Sequence, residues 1–241
     1  QLSGSRPKVF PTVSGATRRD STGAPIHAVL FDLDGTLLDT APDFVAVLNQ
    51  LLVKHGREQL PFARIREKVS EGARALVSMA IDMEPTHGDF DLLHQQLLQD
   101  YLASVSTHSA LFNGMEKVLA TLESASLPWG IVTNKPLIYT EALLRDLQLA
   151  ERCAVTICPD HVTHRKPHPE PIHLACQQLG CSSRDVVYAG DHRRDIEAGN
   201  NAESLTLAVT WGYAGDEDPP QQWNASAVID QPEEILDYLC R

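Results

Sequence analysis

The chain has 241 residues, 43% of them hydrophobic, enough for one large domain or a core with a smaller companion. Its 32 acidic against 20 basic side chains leave a formal charge of −12, a summed field that repels polyanions and argues against nucleic acid or an anionic membrane as a partner. No run approaches the roughly 18 apolar residues of a membrane span, no apolar segment opens the chain, and the five cysteines (Cys153, Cys158, Cys176, Cys181, Cys240) form no C-x-x-C pair. The expectation is a cytoplasmic protein, monomer or dimer, whose cysteines are small buried hydrophobes and not disulfide or zinc ligands.

Residues 1–25 are rich in Ser, Gly, Thr, Pro and Arg and lack hydrophobic periodicity, so a disordered tail is expected there. The apolar run His27-Ala28-Val29-Leu30-Phe31 then leads into Asp32-Leu33-Asp34-Gly35-Thr36, the pattern of a buried parallel strand that ends in a turn. Asp32 and Asp34 are two apart, a spacing that in extended chain sends both carboxylates the same way, toward one substrate atom. Crowded carboxylates repel, so the arrangement needs a cation or a shared proton to offset its cost. Thr40 is placed to cap a helix with Pro42 in its first turn, and Phe44, Val45, Leu48, Leu51 and Leu52 recur at helical spacing until Gly56. Further helical patterns cover 65–69, 73–83 and 90–105, with no strand expected until Trp129. That much helix between two strands exceeds one crossover, which predicts an inserted helical cap over 41–111 and a core made of 26–40 and 112–241.

From Gly114 the pattern alternates. Helices are expected over 115–124, 139–147, 171–179 and 196–202, and strands over 129–134, 153–158, 186–189 and 205–209, with an edge strand at Val228 and Ile229 and a closing helix over 232–239. The fold class is therefore α/β, a doubly wound parallel sheet of the Rossmann-like kind with an inserted α-helical cap. Open sheets of this kind bind ligands at the carboxyl ends of their strands, and three more chemistry-bearing points fall there. Thr133 and Asn134 can hold phosphate oxygens or merely make a turn. Lys166, between Arg165 and Pro167, can neutralise both a nucleophilic carboxylate and an anionic substrate, or serve as a surface lysine. Asp191 and Asp195, four apart, can hold a hard divalent cation together with Asp32, or cap a helix. His161, His164 and His168 do not share a helix face, and Pro167 and Pro169 break the segment, so a solvated loop is expected there.

The run Asp-Leu-Asp-Gly-Thr after an apolar strand, followed in order by Thr133, Lys166 and Asp191 at strand ends, resembles the motif set of the haloacid dehalogenase superfamily. The resemblance spans residues 27–238. It implies an Mg²⁺-dependent phosphatase in which Asp32 is the nucleophile, Asp34 the general acid/base, and Lys166 and Thr133 hold the phosphoryl charge. Asp32, Asp191 and the backbone carbonyl of Asp34 would take the metal, with Asp195 just behind them. Segments 70–74, 108–115, 129–136 and 158–162 and Trp211-Gly212-Tyr213 narrow it to phosphoglycolate phosphatase-like enzymes, and within them to N-acetylmuramic acid 6-phosphate phosphatases of cell-wall recycling. The implied partner is a small phosphorylated amino sugar, with phosphoglycolate as the alternative and a sugar-phosphate mutase as a further one. Gly72 and Arg74, in Ser70-Glu71-Gly72-Ala73-Arg74, are the expected substrate-binding residues of the cap, because helix N–H groups and a guanidinium fork suit an anion. Two departures from the family pattern stand out: His192, where relatives often carry Asp or Ser, and Glu203, where they often carry Gly.

Overall fold

In the computed structural model of this protein, residues 26–81 and 90–239 are described. The expected tail over 1–25, the end of the third helical pattern at Met83 and Cys240 lie outside them.

A six-stranded parallel sheet forms the centre: β1 (Ala28–Phe31), β4 (Trp129–Val132), β5 (Val155–Ile157), β6 (Val186–Gly190), β7 (Leu205–Val209) and β8 (Ala227–Ile229), in the order β5-β4-β1-β6-β7-β8. β1 is therefore interior, paired to β4 on one side and β6 on the other. Its four residues are fully buried because both faces are covered. Val29 and Phe31 join the apolar cluster that contains Met115, Val118, Leu119 and Leu122 of α5 (Met115–Ser124) and Leu143 and Leu144 of α6 (Leu137–Asp146). Ala28 and Leu30 point the other way, to Ile172, Ala175 and Cys176 of α7 (Glu170–Leu179) and Ala198 of α8 (Arg193–Asn201). The period-2 alternation of a strand thus divides one apolar run between two layers of helix.

Among the described residues four α-helices precede α5: α1 (Ala41–Lys54), α2 (Phe62–Arg66), α3 (Ala73–Ile81) and α4 (Phe90–Ser104). α1 buries Phe44, Val47, Leu48, Leu51 and Leu52 along one stripe, each worth about 1.5–3 kcal/mol of burial. The stripe meets Leu76 and Val77 of α3 and Leu93, Leu97 and Tyr101 of α4 in the same cluster as Val29 and Phe31.

Several sequence expectations need correction. The segment between the first two sheet strands also holds a short antiparallel ribbon, β2 (Leu38–Asp39) against β3 (Ala110–Leu111), where no strand was expected. Two-residue strands carry no periodicity to read. The pattern over 65–69 resolves into α2 and a separate 3₁₀ turn (Val69–Glu71), and the closing segment (Pro232–Tyr238) is 3₁₀ and not α. Thr40 makes no side-chain cap for α1. Asp39 Oδ1 accepts from Ala41 N at 3.3 Å, and the Tyr213 hydroxyl accepts from Thr40 N and Ala41 N at 2.7 and 3.0 Å. The described cysteines form no disulfide; Cys153, Cys158 and Cys176 are buried and Cys181 half-buried.

Candidate active site

Asp32 leaves the carboxyl end of β1, and Lys166 reaches it from the loop after β5. The Lys166 ammonium is buried and spends its donors on Asp32 Oδ1 (2.8 Å), the Val132 carbonyl (2.9 Å) and the Tyr188 hydroxyl (2.9 Å). Asp195 Oδ1 lies 2.7 Å from it as a second ion pair. Burial alone would lower the lysine, but Asp195 and Asp32 outweigh it and hold the ammonium well above its usual range. Asp32 is pushed up to about 6 by burial and then by Asp195, with Lys166 pulling the other way.

Asp191 follows the end of β6 and is buried. Its Oδ1 accepts from Thr36 Oγ1 at 3.2 Å, and its Oδ2 from Tyr213 N at 2.9 Å and from Ser70 Oγ at 3.4 Å. Gly35 (φ +87°) and Gly212 pack so closely behind it that a Cβ at either would collide with its side chain. Burial, then Asp32 and Asp195, hold its carboxyl well above the carboxylate range. One oxygen each of Asp32, Asp191 and Asp195 lie within 4.8 Å of one another. Lys166 offsets part of the repulsion among these three buried carboxylates, and a hard divalent cation held between them would offset more. The donor set is all oxygen, and the glycine cradle fixes Asp191 toward it, so these residues fit a metal of that class.

Asp34 lines the same cavity but turns to other partners. Its Oδ1 accepts from Thr40 Oγ1 at 2.5 Å, and its two oxygens lie 2.9 and 3.3 Å from Lys135 Nζ. The two-apart spacing therefore brings both carboxylates to one cavity, each with its own lysine. Lys135 was missed as a site residue by sequence reasoning. It follows Thr133 and Asn134 directly, yet its partners Asp34 and Tyr101 are remote in sequence and leave no local trace.

The cavity, about 430 Å³, runs from Asp32 and Asp34 out to Gly72, Arg74 and His94, with Thr133, Asn134, Lys166, His192 and Asp195 along its wall. Thr133 Oγ1 is buried and accepts from Lys135 N at 3.1 Å, while Asn134 donates to the Lys166 carbonyl at 3.1 Å and keeps a buried Oδ1 without a hydrogen bond. Gly72, at φ +90°, ends the Val69–Glu71 turn, and α3 opens at Ala73. Arg74 is half-exposed and already engaged, its Nη1 3.1 Å from Asp91 Oδ1 and its guanidinium 4.8 Å above the Phe90 ring. His192 caps α8: its Nδ1 accepts from Arg194 N at 3.2 Å while Asp195 Oδ2 accepts from His192 N at 3.0 Å. Burial and the Arg194 guanidinium push His192 down to about 4. His164 and His168 are exposed, as expected of a loop, but they gather around Glu170, which the spacing did not suggest; Glu170 also accepts from Thr163 N and His164 N.

The model of the haloacid dehalogenase-like hydrolase family matches residues 29–209. An N-acetylmuramic acid 6-phosphate phosphatase of Pseudomonas putida is 46% identical over 210 residues, 87% of this chain and 94% of that protein. A phosphoglycolate phosphatase of Xanthomonas campestris is 40% identical over 212 residues, 87% and 94% of the two chains. Among solved structures, a predicted phosphoglycolate phosphatase from Haemophilus somnus superposes with a TM-score of 0.79 at 24% identity, over 88% of this chain and 97% of that one, a likeness of fold. With most of its length matched by the family model, this chain belongs to the haloacid dehalogenase-like hydrolases.

Proposed function

We propose that this chain is a phosphomonoesterase that works through an aspartyl-phosphate on Asp32 and takes N-acetylmuramic acid 6-phosphate, the step of peptidoglycan recycling that releases phosphate from the amino sugar. The observation that carries the chemistry is Asp32 itself: a carboxylate at the end of the central strand, facing a cavity, with one oxygen held 2.8 Å from a buried lysine. An Asp32 oxygen attacks phosphorus, and the bond from phosphorus to the sugar oxygen breaks as Asp34 gives that oxygen its proton. Asp34 then takes a proton from water, which cleaves the acyl phosphate to inorganic phosphate and restores Asp32. Lys166 carries positive charge beside the transferring group, and Thr133 and Asn134 bound the same wall. Asp32 and Asp191, with the Asp34 carbonyl, would hold Mg²⁺, which when bound would neutralise charge on the phosphoryl oxygens. In this reading residues 41–111 are a cap, since Ser70, Gly72 and Arg74 reach the cavity from there while the phosphate end is built by the sheet.

The choice of substrate rests on size and on kinship. A cavity of about 430 Å³ that extends to Arg74 suits a sugar phosphate better than the two-carbon phosphoglycolate. The relatives named for the muramic acid ester are also more similar to this chain (46 and 44% identity) than the Xanthomonas phosphoglycolate phosphatase (40%). Phosphate release from both compounds, with and without Mg²⁺, tests the reading. A higher kcat/KM for the muramic acid ester, loss of activity on chelation and recovery with Mg²⁺ are expected, and Asp191→Ala should behave like chelation. Full activity in excess chelator would remove the metal from the proposal, and a preference for phosphoglycolate would reassign the substrate.

A further inference from the structure

Lys135 is a lysine in an unusual place. β4 ends at Val132, and three residues later this side chain is only 5% exposed, with its ammonium 2.9 Å from Asp34 Oδ1 and 2.9 Å from the Tyr101 hydroxyl. It sits 4.9 Å from the Phe44 ring centroid and 4.8 Å from that of Tyr101, two rings stacked 3.9 Å apart and 11° from parallel. Its backbone is pinned as well, since Lys135 N donates to Thr133 Oγ1 at 3.1 Å and Thr140 Oγ1 donates to its carbonyl at 3.4 Å. Burying an ammonium costs several kcal/mol unless a carboxylate and further acceptors or π faces offset it. Here all of these are supplied, and they come from three separate parts of the chain: Asp34 after β1, Phe44 on α1 and Tyr101 on α4.

We propose that Lys135 is the positioning residue for Asp34, and that the Phe44–Tyr101 slot sets where Lys135 holds it. The inference rests on the phosphomonoesterase reading and extends it: delivery of the proton to the leaving oxygen depends on how α1 and α4 seat against the sheet. Two other roles are available to a buried lysine at this point, a purely structural ion pair and a grip on the phosphoryl group. Both would affect all phosphate esters alike. A positioning role would not, because only a poor leaving group needs the proton that Asp34 gives.

The test compares kcat/KM for an alkyl ester, N-acetylmuramic acid 6-phosphate, with that for p-nitrophenyl phosphate, whose leaving group departs without protonation. This parameter covers steps through phosphoryl transfer to Asp32 and leaves out the later hydrolysis. Lys135→Met should lower the alkyl-to-aryl ratio by at least about tenfold, in the same direction as Asp34→Asn, at the low end of what general acid catalysis contributes. Tyr101→Phe keeps the ring stack and removes one hydroxyl, and it should lower the ratio by about threefold; it also serves as the test if Lys135→Met does not fold. A ratio that stays at the wild-type value in the folded variants, whether or not the absolute rates fall, overturns the positioning role. A wild-type protein that releases phosphate from neither ester, nor from phosphoglycolate, overturns the phosphomonoesterase reading instead, so the two failures are distinct.

Discussion

Asp32, Lys166 and Asp195 form a charge relay of burial, in which each group is tolerable only because of the next. Lys166 is 2.8 Å from Asp32 Oδ1 and 2.7 Å from Asp195 Oδ1, and all three side chains lie within the fold. His192, the first departure from the family pattern, serves as the N-cap of α8, so the exchange keeps a capping acceptor at that point. Glu203, the second, has φ +61°, a left-handed conformation that Gly adopts more easily. Arg74 pairs with Asp91 and stacks on Phe90, so to grip a substrate carboxylate it would first have to be drawn from an existing partner. Arg74→Ala should therefore lower kcat/KM for the muramic acid ester by about tenfold, the small end of what a charged hydrogen bond contributes, with no shift in thermal midpoint. Steady-state kinetics beside a melting curve checks both parts.

At the scale of elements, the passage from sheet to helices is a built junction and not a linker. The Tyr213 hydroxyl accepts from the first two backbone N–H groups at the α1 entry and donates to Asp39 Oδ1 at 2.8 Å. From α1, Asp43 accepts from His108 N, Ser109 N and Ser109 Oγ at 2.9, 2.9 and 2.6 Å, which ties the returning chain just before β3. One phenol and one carboxylate thus fasten both crossings. Tyr213→Phe leaves two buried N–H groups without that acceptor, so a loss of about 1–3 kcal/mol is expected. Urea unfolding should show a lower midpoint at unchanged slope. A midpoint equal to wild type would mean that the hydroxyl is not what holds the junction.

For the molecule as a whole, what the sequence revealed follows from the reach of each physical signal. Parallel strands covered on both faces read as apolar runs, which is why β1, β4, β6 and β7 were placed from residues alone and why Asp32, Thr133 and Asp191 were found at strand ends. Helix α1 was legible for the same reason, through the stripe of Phe44, Leu48, Leu51 and Leu52. What escaped depends on contacts distant in sequence: the β2–β3 ribbon, the Tyr213 cap that displaces Thr40, and Lys135, whose partner Asp34 is 101 residues away. Thr40 shows the limit most plainly. Its residue type is that of a helix cap, but the Tyr213 hydroxyl, 173 residues away, takes its N–H, and its own hydroxyl turns back to Asp34 Oδ1 at 2.5 Å.

The central claim is that Asp32 carries the phosphoryl group, and the direct measurement is to trap it there. The enzyme is mixed with N-acetylmuramic acid 6-phosphate and Mg²⁺, quenched in acid within the first turnover, digested, and read by mass spectrometry for a phosphoryl adduct. The account predicts the adduct on Asp32, none in Asp32→Asn, and a kcat for that folded variant more than about a thousandfold below wild type. An adduct on another residue, or an Asp32→Asn enzyme that still turns over at a substantial fraction of the wild-type rate, would contradict it.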